Sequence, residues 1–61
     1  MKAVPELFAD LTMLMEDIHG IAVEGQQADL SSDMQIVILS AVKAGLVKVQ
    51  RIMLDIAVAL P

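Results

Sequence analysis

The stretch QIVILSAVKAGLVKVQ, residues 35–50, holds ten aliphatic side chains broken only by Ser40, Lys43, Gly45 and Lys48. Read at helical spacing, Leu39, Val42, Leu46 and Val49 recur in steps of three and four. Met53, Ile56 and Leu60 carry the same row to the C-terminus. These are the core positions of an uninterrupted heptad pattern. A second stripe runs beside the first: Met34, Ile38, Ala41, Gly45, Ile52 and Ala59. Further aliphatics, Ile36, Val47, Leu54 and Val58, sit among Ser40, Lys43, Gln50 and Arg51 on the nominally wet side. One neighbouring helix can bury one stripe. This segment therefore predicts more than one neighbour.

The N-terminal half supplies only one. Leu7, Leu11, Leu14, Ile18 and Ile21 make a single apolar face, widened by Phe8, Met15 and Ala22. Pro5 suits a first helical turn, where its missing N–H costs nothing, and Glu6 and Asp10 put negative charge near the positive helix end. Glu6, Asp10, Asp17 and Glu24 line up on one flank. Between the two apolar segments, EGQQADLSSD (24–33) is the only polar stretch. The spacing predicts a helix over about residues 5–27, a turn at 28–31 and a helix over 32–60, all in one domain. Gly25 offers an alternative end for the first helix, in a left-handed conformation. Ser31 or Ser32 is expected to open the second, the latter with Gln35 at capping-box spacing.

Length and composition bear on the same point. A chain of 61 residues is marginal as a lone domain, because it buries only about 60% of the surface its unfolded form exposes. Small proteins compensate with disulfides, a metal or oligomerisation. There is no cysteine and a single histidine, yet 57% of residues are hydrophobic and mean hydropathy is +0.73. Oligomerisation is the remaining device. The second helix is also the longer one, so "MLDIAVAL" (53–60) is expected to overhang its partner and need cover. The architecture expected is all-α: an antiparallel two-helix hairpin that homodimerises into a four-helix bundle. Leu39, Val42, Leu46, Val49, Met53 and Ile56 would pack on the first helix. Met34, Ile38, Ala41, Gly45, Ile52 and Ala59 would form the subunit interface.

Several function classes fit poorly. Net charge is −4 with four basic residues, and no aromatic lies among Lys43, Lys48 and Arg51. A nucleic-acid surface needs the opposite balance. The longest uncharged run after position 33 is Met34 to Val42, nine residues, whereas a membrane-spanning helix needs about 20. Glu6 and Asp10 spoil a secretory leader, so a cytoplasmic protein is expected.

Chemistry is sparse. Glu16 and His19 have the Glu-x-x-His spacing that holds metal in some carboxylate-bridged bundles. A complete site also needs carboxylates from the second helix, whose only ones, Asp33 and Asp55, lie near its ends. Ser31 and Ser32 are explained as caps, and His19 has no serine or cysteine near it to activate. No catalytic residue and no cofactor is assigned. The expectation is a non-enzymatic interaction or regulatory module whose partner is itself, as a homodimer or a higher oligomer, with Ile36, Val47, Leu54 and Val58 as a possible surface for that higher oligomer or for another protein. The alternatives are a metal-binding bundle using Glu16 and His19, a binder of apolar ligands or membrane surfaces, and a protein whose acidic row masks a basic partner.

Overall fold

A computed structural model describes residues 2–61. Two helices, α1 (Val4–Glu24) and α2 (Ser32–Ala59), pack against each other as an antiparallel hairpin. The result is a rod measuring 48 × 14 × 14 Å. No strand occurs among the described residues.

Each helix end has a local cause. Pro5 sits in the first turn of α1, and the Glu6 carboxylate accepts a 3.4 Å hydrogen bond from the Ala3 backbone N–H. This is only the returning half of a capping box, since an alanine side chain has no acceptor. α1 stops three residues short of the expected position 27. The Gly25 N–H still donates to Ile21 and Ala22 carbonyls, and the Gln26 N–H reaches back to Val23 at 3.0 Å, so the chain tightens into three-residue turns. Gly25 ends α1 with φ −67°, in the right-handed region, so its left-handed freedom goes unused. α2 opens at Ser31, whose Oγ accepts from the Met34 N–H at 3.2 Å. With Ser31 as cap, Gln35 lies one residue beyond capping-box reach. Leu60 is extended, as suits a residue before proline.

The seam is fixed by one close approach. A Cβ built on Gly45 would lie 2.6 Å from Ile18 Cγ1 and 2.9 Å from its Cδ1, so the glycine is the notch into which Ile18 fits. Toward the loop, the Gly25 backbone rests beside Ile38 Cγ2. Counting eleven residues the other way along both helices from Ile18 and Gly45 reaches Leu7 and Ile56, the two buried apolar side chains among the described residues. Val4, Leu11, Leu14, Ile18 and Ile21 of α1 are half-buried, as are Ile38, Ala41, Val42, Val49, Ile52 and Ala59 of α2.

Two expectations are corrected here. First, the seam of α2 draws on both stripes: Val42, Val49 and Ile56 pack on α1 as expected, but the rest of that stripe does not. Ile38, Ala41, Gly45, Ile52 and Ala59, expected at a subunit interface, lie along the hairpin's own seam. Leu39, Leu46 and Met53, expected to pack on α1, are about half exposed. The small residues do permit close helix approach, but the helix that approaches is α1. Second, the C-terminus of α2 does not overhang. The early end of α1 lets residues 25–31 run beside the first turns of α2, so the surplus length falls at the loop. There Met34, Ile36 and Val37 are exposed, while Ile56 at the opposite end is only 6% exposed.

Candidate functional site: a charge-free apolar face

The seam divides the hairpin into two broad sides. On one, Asp10, Met13, Leu14 and Asp17 of α1 line a shallow groove with Lys48, Arg51 and Ile52 of α2. The acidic row of α1 thus lies level with the basic residues of α2. No ion pair within 4.0 Å joins the two helices among the described residues. The pairs formed are Lys2 with Asp10 and, loosely at 4.0 Å, Arg51 with Asp55. The hydrogen bond and charge of Asp10 hold the Lys2 ammonium above the usual lysine range. Charges at this exposure contribute little individually. Their effect is to keep that side wet.

The other side differs. At 100° per residue, Phe8, Met15 and Ala22 flank the seam of α1 on the side away from Asp10 and Asp17. Leu39, Leu46 and Met53 flank the seam of α2 on the side away from Lys48 and Arg51. Because the helices are antiparallel, both rows fall on the same side of the rod. No Asp, Glu, Lys or Arg lies on either row or between them. Phe8, Met15, Leu39, Leu46 and Met53 all keep between 49% and 56% of their surface exposed.

The remaining candidates are scattered. Met34, alone of the proposed interface set, is exposed beyond the end of α1. Ile36, Val47, Leu54 and Val58 lie on the outer side of α2, opposite the seam, and are 61–84% exposed. Glu16 and His19 are both exposed on α1, with His19 at the rim of the apolar face. Among the described residues no three His, Asp or Glu side chains gather closely enough to hold a metal ion. At the N-terminal end of α1, Lys2 and Leu7 line a second shallow cleft with Asp55, Val58 and Ala59. No described helix is long and apolar enough to cross a membrane.

The row Leu39–Leu46–Met53 was visible in the sequence, but the structure leaves it about half exposed beside the seam rather than packed on α1. The signal that would have placed it is electrostatic. Lys48 and Arg51 line the same groove as Asp10 and Asp17 of α1, which goes with a seam on the stripe between them and Leu46. Comparison with known proteins adds no guide: no family model matches the chain, and no characterised protein or solved structure is similar to it.

Proposed function

We propose that the chain is a non-enzymatic interaction module that works as a homodimer, two hairpins closing their apolar faces into a four-helix bundle. The observation that carries this is the charge-free face of Phe8, Met15, Leu39, Leu46 and Met53. Surface area supports it. A compact monomer of 6.5 kDa exposes about 3,800 Å², whereas this chain exposes 4807 Å². The surplus, ~1,000 Å², is close to the ~800 Å² that each partner contributes to a standard stable interface. A second copy offers an identical apolar face, and two such faces remove each other from water.

The test is a charge placed at the middle of the face. Leu46→Asp buries an unpaired carboxylate if the face closes, and it should lower the sedimenting mass or unfold the chain. Val58→Asp, on the exposed outer side of the same helix, should leave mass and helicity as in the parent. If Leu46→Asp sediments like the parent with unchanged helicity, the face is not the interface.

A second role rests on Ile36, Val47, Leu54 and Val58. They point away from the proposed interface and stay exposed after it forms, which leaves them available to a different protein.

A further inference from the structure

The apolar face is not uniform along its length. Heptad spacing sets three nearly level rungs across it: Phe8 with Met53, Met15 with Leu46, and Ala22 with Leu39. Successive rungs stand about 10.5 Å apart, two helical turns. The rung toward the chain termini carries the largest side chains. The rung nearest the loop pairs a leucine with an alanine. Between them stands a middle rung of intermediate bulk. The face therefore tapers from the termini toward the loop.

Two such wedges can meet face to face about a two-fold axis in only two ways. With the axis along the helices, like rungs stack on like. One layer then holds two phenylalanines and two methionines, and another holds two alanines and two leucines. Helices at a near-constant spacing of about 8–10 Å cannot fill both layers equally. With the axis across the rod, the Phe8–Met53 rung meets the partner's Ala22–Leu39 rung, and every layer has similar bulk. Close packing at interior density, with large residues set against small, favours the second arrangement.

We infer that the second copy docks head to tail. The axis crosses the rod at the level of Met15 and Leu46, and the two loops lie at opposite ends of the bundle. α2 then packs on α2 of the partner and α1 on α1, with Leu46 facing its own symmetry copy. This inference rests on the dimer reading and adds to it the orientation of the partner.

The chain has no cysteine, so an introduced one can be linked only to its own kind. Leu46→Cys should be converted by a short bis-maleimide to a covalent dimer. Leu39→Cys alone should not link, because it faces Met53 of the partner subunit, but mixed with Met53→Cys it should. The opposite pattern overturns head-to-tail docking: no link from Leu46→Cys alone, and efficient linking in a mixture of Met15→Cys and Leu46→Cys. The mass of the untreated parent protein separates the two levels. A dimeric parent with the second pattern overturns the orientation only, while a monomeric parent overturns the dimer itself. Should Leu46→Cys fold poorly, the Leu39 and Met53 variants report the same geometry independently.

Discussion

Gly45 and Gly20 are both interior helical glycines, yet the structure gives them opposite roles. Replacing a glycine by alanine in a helix interior stabilises it by about 0.5–1 kcal/mol when nothing else changes. At Gly20 an added Cβ meets nothing within 4 Å, so Gly20→Ala should raise stability by that amount in urea unfolding. At Gly45 the same methyl group would come within 2.6 Å of Ile18 Cγ1 and 2.9 Å of its Cδ1. Gly45→Ala should therefore lose more through overpacking, about 1–3 kcal/mol, than it gains in propensity. A neutral or stabilising Gly45→Ala would show that the helices do not approach closely there. The close approach at Gly45 was legible in the sequence from its small neighbours Ala41 and Ala44. Its partner was not, because a small residue says that something comes near without saying what.

At the scale of the helices, the seam has a sharper prediction. Ile56 and Val58 are two residues apart in the last turns of α2, one 6% and the other 84% exposed. Ile56→Ala should cost about 2–5 kcal/mol through lost burial and a residual cavity. Val58→Ala should stay within about 0.5 kcal/mol of the parent, as exposed substitutions do. Equal effects would mean that the C-terminus of α2 is not packed against Leu7. Helix existence, type and order were legible from apolar periodicity and the single polar break at 24–33. The register was harder. It depends on where α1 stops, and the four residues after Glu24 (Gly25, Gln26, Gln27, Ala28) include good helix formers that carry no stop signal beyond Gly25. Ending α1 there slides the surplus of α2 to the loop and brings its C-terminus under cover. Which residues of α2 meet α1 was only partly legible, because the seam draws on both stripes: Val42, Val49 and Ile56 from one, Ile38, Ala41, Gly45, Ile52 and Ala59 from the other. Two apolar stripes of equal length are interchangeable by hydrophobicity alone, and only the placement of Lys48 and Arg51 relative to Asp10 and Asp17 distinguishes them.

For the whole molecule, burial is the deciding quantity. Among the described residues two apolar side chains are buried in the single hairpin, Leu7 and Ile56, against fourteen large hydrophobic ones left exposed. A large aliphatic gains about 1.5–3 kcal/mol on full burial, so each half-exposed one in a lone hairpin forgoes a part of that. The proposed association would recover part of it and link folding to protein concentration. The composition raises the expectation of oligomerisation through high hydropathy in a short chain without cysteine. The face proposed for it could be named only from the register of the two helices. The measurement closest to the central claim is absolute mass by light scattering on a sizing column across a dilution series, with helicity followed on the same samples. The account predicts twice the 6.5 kDa chain mass, with mass and helicity lost together on dilution. A helical monomer that persists at micromolar concentration would contradict it, because the face of Phe8, Met15, Leu39, Leu46 and Met53 would then be stable in water.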